Sequence, residues 1–245
     1  MYELTVAGHR LGAFWHCFGT ERHRASLETI IDLLQVSKTA VLPINTHRLD
    51  SRMDRDALEQ GFSGVSYDQL ASAYNVASLT KMLNINLRTS ADAAVEVAKL
   101  AFEMTQEPVL KLEVLTPDLR ESSDDGVLEA AERLLEWNPE LVVFPLLTSN
   151  PDSSRRAAAI GCPLVRVMGS AISSRKGIED EDAFSEIVQI GLPVVLDGGI
   201  GSPEHIVRAA ELGAQGVLVN SVLFDAAAGP VPTMATMRSA AEQVF

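Results

Sequence analysis

Two charged residues interrupt an apolar run at Val109-Leu110-Lys111-Leu112-Glu113-Val114. Pro108 bounds the run on one side and Thr116-Pro117-Asp118 on the other, so the stretch reads as a buried strand. Side chains at i and i+2 of a strand share a face. A charged pair on an otherwise apolar face is costly unless it is satisfied or used. One reading is a structural Lys–Glu ion pair; the other is a Lys nucleophile with an acid/base partner beside it. A Lys amine attacks a carbonyl only when unprotonated, a form that burial favours and a neighbouring carboxylate opposes. The sequence leaves that balance open. Glu113 is spaced to move protons during imine formation. Asp197, ending another apolar run, is either a second proton carrier or a structural Asp at a strand end.

Two further stretches have the makings of an anion site. Asp197-Gly198-Gly199-Ile200-Gly201-Ser202 and Asn220-Ser221 both follow apolar runs. Glycines let backbone N–H groups approach an anion closely, and a helix starting near Pro203 offers its positive end. The alternative is a glycine-rich turn required only for tight geometry. The segment Gly169–Gly177, with Ser173, Arg175 and Lys176, is small, polar and basic. It suits a mobile loop closing over an anion, or an ordinary solvated loop.

The elements that must position these residues alternate. After a short strand at Tyr2–Val6, expected to lie outside the main sheet as a cover on its floor, apolar runs occur at Ala13–Phe18, Thr39–Ile44, Lys81–Leu87, Val109–Val114, Leu141–Leu146, Pro163–Val167, Pro193–Asp197 and Gly216–Asn220. Helical patterns separate most of them, including one capped by Ser26, Ala91–Met104 after Thr89 or Ser90, Asp124–Trp137, Asp152–Ile160, Asp180–Ile190 and Pro203–Leu212, with Thr233–Val244 closing the chain. A short helix is expected at Asp68–Tyr74, after a polar loop from Asn45 to about Gly64 at the functional face. Continuous apolar strands between helices indicate a parallel sheet covered on both faces. At 245 residues the pattern favours a single (β/α)8 TIM barrel over 1–245, with a doubly wound open sheet as the alternative. In such a barrel the C-terminal strand ends carry function, and phosphate often binds after the last two strands.

Composition narrows the partners. A net charge of −13 argues against a general nucleic-acid or anionic-membrane surface, so an anionic substrate must be held locally by backbone amides or a few cations. No apolar run approaches a membrane span, and Met1-Tyr2-Glu3-Leu4 opens no basic-then-apolar leader, so a cytoplasmic protein is expected. Cys17 and Cys162 form no framework, and the five histidines are scattered, which gives no support to a metal site. No cofactor is expected.

Four segments together resemble thiazole synthase of thiamin biosynthesis: Lys111-Leu112-Glu113-Val114, Asp197-Gly198-Gly199-Ile200-Gly201-Ser202-Pro203, Ala210-Glu211-Leu212-Gly213-Ala214 and Gly216-Val217-Leu218-Val219-Asn220-Ser221. The resemblance implies a (β/α)8 barrel without a metal. It implies that Lys111 forms an imine with the carbonyl of a ketose phosphate and that Glu113 and Asp197 assist proton transfers. It further implies phosphate contacts at Gly198, Gly199, Asn220 and Ser221. Sulfur would arrive as the C-terminal thiocarboxylate of a small ubiquitin-like carrier protein. A homo-oligomer is also expected.

The sequence departs from that family where substrate would be shaped. The usual Leu-Pro-Asn-Thr-Ala-Gly-Cys is Leu83-Asn84-Ile85-Asn86-Leu87-Arg88-Thr89 here, and Gly-Ser-Pro-Ile-Gly-Ser is Gly169-Ser170-Ala171-Ile172-Ser173-Ser174. Ser173 thus stands where a Gly near the substrate is expected. An Arg-Arg pair is replaced by Asn45-Thr46-His47-Arg48. A Lys retained among altered loops suggests a relative acting on another sugar phosphate. The thiosugar synthases, which resemble thiazole synthase and place sulfur on a hexose phosphate such as glucose 6-phosphate, fit this description. Thiazole formation from deoxyxylulose phosphate, a non-catalytic phosphate-binding barrel and an aldolase-type enzyme remain as alternatives.

Overall fold

A computed structural model describes residues 3–245. Eight parallel strands make one sheet: β1 (Phe14–His16), β2 (Val41–Asn45), β3 (Thr80–Ile85), β4 (Val109–Leu112), β5 (Val142–Leu147), β6 (Val165–Val167), β7 (Val194–Asp197) and β8 (Gly216–Val219). Their order around the sheet follows the chain from β2 to β8, and β8 then pairs with β1. A doubly wound sheet would reverse its order midway. The (β/α)8 barrel is therefore the architecture present.

Nine helices lie among the described residues: α1 (Leu27–Ser37), α2 (Tyr67–Ala73), α3 (Ala91–Thr105), α4 (Asp124–Trp137), α5 (Pro151–Ile160), α6 (Glu181–Gln189), α7 (Pro203–Glu211), α8 (Ser221–Asp225) and α9 (Pro230–Val244). Their starts are chemically marked. The side chains of Ser26, Ser90 and Asp180 accept from backbone N–H groups in the first turns of α1, α3 and α6. Ser66 and Gln69 form a reciprocal capping box on α2. Helix α9 begins at Pro230, three residues earlier than expected, because a proline in a first turn has no orphan N–H to satisfy.

Strand alternation sorts the core into two layers. Outward residues such as Leu42, Ile44, Leu83, Ile85, Leu110 and Leu112 belong to the cluster shared with the helices. Inward residues including Trp15, Val41, Met82, Val109, Phe144 and Leu164 fill the lower barrel. Leu4, Val6 and Leu11 join that inner cluster, so the N-terminal segment plugs the floor as expected. It does so as a hairpin, Thr5–Val6 against His9–Arg10, while the expected strand's first residue, Tyr2, lies outside the described residues.

The barrel closes unevenly. Among the described residues β1 and β2 share no ladder pairing. Thr39 Oγ1 instead donates to the Phe14 carbonyl at 2.9 Å, and His16 Nε2 lies 2.8 Å from Ser37 Oγ. The expected loop from Asn45 to Gly64 contains a 3-10 turn at Arg55–Ala57, and Glu59 pairs antiparallel with both Asn45 and Ser66. A small hairpin, Gly19–Thr20 with His23–Arg24, and helix α8 were not expected from the sequence.

Candidate active site

Above the apolar floor, the inward positions become polar. Asn84 on β3, Lys111 on β4, Arg166 on β6 and Asp197 on β7 meet inside the barrel. Strand register places Asn84 beside Lys111. Lys111 Nζ donates to Asn84 Oδ1 at 3.1 Å, pairs with Glu113 and lies 3.7 Å from Asp197 Oδ2. Asn84 Nδ2 in turn donates to Asn45 Oδ1 at 2.6 Å, and Asn45 Nδ2 to the Gly61 carbonyl at 2.7 Å. The expected strand at Val109–Val114 ends at Leu112, yet the Glu113 amide still donates to the Ile85 carbonyl and keeps its side chain on the Lys111 face.

Arg166 is the member that inspection of the sequence missed. It is wholly buried, and its guanidinium spans both acids: Nη2 is 2.9 Å from Glu113 Oε1 and 2.8 Å from Asp197 Oδ2, and Nε donates to Asp197 Oδ2 at 2.8 Å. Nη1 donates to the Phe144 and Leu112 carbonyls at 3.2 and 3.4 Å. The signal was present in Leu164-Val165-Arg166-Val167, a charge within an apolar run like the one at Lys111. Two cations and two carboxylates thus balance one another. Burial works to raise the Asp197 carboxyl, but Arg166 and Lys111 outweigh it and hold it below the usual carboxylate range.

A cavity of about 610 Å³ opens above this cluster, lined by Lys111, Glu113, Asp197, Gly198, Gly199, Asn220, Ser221 and Ser173, while Arg175 and Lys176 of the basic loop do not line it. At the rim, Gly198 and Gly199 have φ of 121° and 85°, the left-handed region that favours glycine. A Cβ on Gly199 would stand 2.6 Å from the Gly177 carbonyl oxygen, so the loop's close approach also excludes a side chain there. The Asn220 carboxamide is engaged by Gly19, with Nδ2 donating to the Gly19 carbonyl at 3.0 Å and Oδ1 accepting from the Gly19 amide at 3.3 Å.

The Gly169–Gly177 segment is pinned rather than poised over an anion. Arg175 pairs with Asp225 on α8, and Lys176 with Glu179 at 2.9 Å, so its cations are engaged within the protein. Ser170 Oγ donates to the Gly177 carbonyl at 2.9 Å. Ser173 adopts φ of 63°, a left-handed backbone that glycine holds more readily than serine. Among the described residues no group of three His, Cys, Asp or Glu side chains is arranged to hold a metal, and no helix is long and apolar enough to cross a membrane. An amine between two carboxylates at the base of a pocket can condense with a carbonyl and exchange protons with its neighbours.

A family model described as "Thiazole biosynthesis protein ThiG" matches residues 16–243. The thiazole synthase of Escherichia fergusonii is 31% identical over 211 residues, covering 85% of this chain and 77% of that protein. That of Prochlorococcus marinus is 35% identical over 167 residues, covering 64% of this chain, which spans only 60% of that relative's length. Among solved structures, the Amycolatopsis orientalis BexX/CysO complex contains a chain 27% identical, with a TM-score of 0.83 over 98% of this chain and 92% of that one. A thiamine phosphate pyrophosphorylase from Pyrococcus furiosus, 16% identical with a TM-score of 0.61, covers 96% of this chain and 97% of its own, and shares the fold alone. The match across nearly the whole barrel, together with the Escherichia relative, establishes that the chain belongs to the thiazole synthase family, a family of enzymes.

Proposed function

We propose that this chain, acting as one domain over 1–245, is a sulfur-transferring synthase that condenses Lys111 with the carbonyl of a sugar phosphate. The observation that carries the proposal is the placement of Lys111 Nζ against Glu113 and Asp197 inside the cavity that the glycine rim also lines. Condensation joins the amine to the carbonyl carbon and releases water, and Glu113 and Asp197 accept and return the protons involved. The phosphate is held at the rim by backbone amides of Gly198, Gly199, Asn220 and Ser221, with Ser173 on the facing loop. Sulfur comes from the C-terminal thiocarboxylate of a small ubiquitin-like carrier. The BexX chain is solved as a complex with a second protein, which supports a protein partner for this barrel too.

The favoured product is a thiosugar phosphate of the 2-thioglucose 6-phosphate type, from glucose 6-phosphate. Oxygen on the sugar is then exchanged for sulfur from the carrier, which leaves as a carboxylate, and no oxidant is required. Asn86 supports a polyhydroxylated substrate. It lines the same cavity, and its buried Oδ1 has no protein donor among the described residues, so a sugar hydroxyl would satisfy it. The curated relatives support a second reading, thiazole synthesis from 1-deoxy-D-xylulose 5-phosphate.

Borohydride trapping followed by mass spectrometry separates these readings. With glucose 6-phosphate the expected result is a reduced adduct on Lys111 that is absent from Lys111→Ala. An adduct with deoxyxylulose 5-phosphate alone transfers the assignment to thiazole synthesis. Binding of both sugars with no adduct from either leaves a barrel that holds phosphate without catalysis.

A further inference from the structure

Arg166 is the one member of the four-ion cluster that the proposed chemistry does not use, and its donors are all directed at protein oxygens rather than at the cavity. We infer that Arg166 is a positioning residue that sets the proton balance of Lys111 by bridging Glu113 and Asp197. The inference rests on the reading that Lys111 acts through its neutral amine.

Charge counting gives the reason. With Lys111 protonated, two cations face two carboxylates. Transfer of one proton from Lys111 Nζ to Glu113 leaves a neutral amine, a neutral carboxyl and an intact Arg166–Asp197 ion pair. That internal transfer conserves charge with or without Arg166, so the difference lies in release of the proton to solvent. With the guanidinium, release takes a balanced cluster to a single excess negative charge; without it, the cluster already carries that excess and release doubles it in a buried site. Lysine cannot fully replace arginine here, because one planar fork reaches both acids and two carbonyl oxygens.

The other groups around Lys111 do not set this balance. Asn84 is neutral, and burial keeps the Cys17 thiol protonated by pushing it up to about 11. At the cavity mouth, Glu21, Arg22, Asp118, Arg120 and Asp225 carry charges of both signs toward solvent, where they are screened.

Reductive methylation of Lys111 with formaldehyde and cyanoborohydride, read by mass spectrometry across pH, reports the neutral amine without any sugar. Arg166→Met should raise the pH of half-maximal labelling by about one unit or more. Asp197→Asn, which leaves a cation in excess, should lower it, and the double variant should return close to the unsubstituted value. Arg166→Lys, which keeps the charge but not the fork, should place the midpoint between those of the unsubstituted protein and Arg166→Met. Should Arg166→Met fold too poorly to label, the difference between Asp197→Asn and the double variant isolates the same guanidinium. Equal midpoints across that pair, or an unshifted profile in folded Arg166→Met, would overturn the inference. Because formaldehyde is the probe, these results stand apart from sugar-phosphate trapping: an absent sugar adduct sinks the proposed reaction, whereas an unmoved methylation midpoint sinks the role of Arg166.

Discussion

Lys111 and Arg166 look equivalent in the chain, each a cation inside an apolar strand, but their chemistry divides the labour. Arginine keeps its charge at every accessible pH, while an ammonium can release a proton and become a nucleophile. The permanent cation lies against protein oxygens, and the titratable one lies where a substrate can enter. Cys17 borders the same cavity, so a thiol is within the site of a proposed sulfur chemistry. Its environment makes it a bystander. Burial pushes Cys17 up to about 11, despite the opposing pull of Lys111, and Cys162 up to about 12. At about pH 8 a disulfide-exchange reagent should therefore label neither thiol in the folded protein, and both once guanidinium unfolds it. Rapid labelling of Cys17 in the native state would reveal a thiolate beside Lys111 and give it a chemical part.

At the scale of elements, the rim depends on two backbone segments touching. Gly199→Ala forces a Cβ toward the Gly177 carbonyl and holds the residue at φ of 85°. The substitution should cost about 1–3 kcal/mol in urea denaturation and should weaken inorganic phosphate binding by calorimetry more than it slows methylation of Lys111. Equal loss of both would mean that the rim and the amine are not separable parts. The eight-strand alternation was legible because parallel strands covered on both faces become unbroken apolar runs, and Lys111, Glu113 and Asp197 stood out against them. Helix α8 was not legible: five residues carry no helical period, and Asn220 before it spends its side chain on Gly19 instead of on a cap. The hairpin Gly19–Thr20 with His23–Arg24 is too short for any alternation to register. The Asn45–Asn84–Lys111 chain depends on register between neighbouring strands, which one sequence does not print. Arg166 was different, since its pattern was visible and only its partners were hidden.

For the whole molecule, the seam between β1 and β2 is where closure rests on side chains, and that makes it sensitive to acid. His16 is fully buried there, with Nε2 by Ser37 Oγ and Nδ1 3.3 Å from the Cys17 carbonyl. Burial lowers its pKa from 6.5 to about 4, against a smaller opposing effect of the Cys17 carbonyl. Between these values the unfolded chain binds the proton and the folded chain does not, so stability falls as pH drops through that window. The full shift corresponds to roughly 3 kcal/mol. His47 is lowered to about 4 as well, by burial first and then by Arg48, Arg88 and Arg24, and it adds a second decline in the same range. Asp197 acts in the same direction but lower, since its depressed carboxyl contributes stability that is lost only as pH falls through its folded value. Urea midpoints taken from about pH 7 to about pH 5 therefore report the histidines against an opposing contribution from Glu59, which lies 3.0 Å from His47 and whose carboxyl burial raises. His16→Gln should remove about half of the fall across that interval, and His16→Gln with His47→Gln should remove most of it. An undiminished fall in the double variant would mean that neither ring is held neutral, and that the seam must then accept an imidazolium beside Ser37.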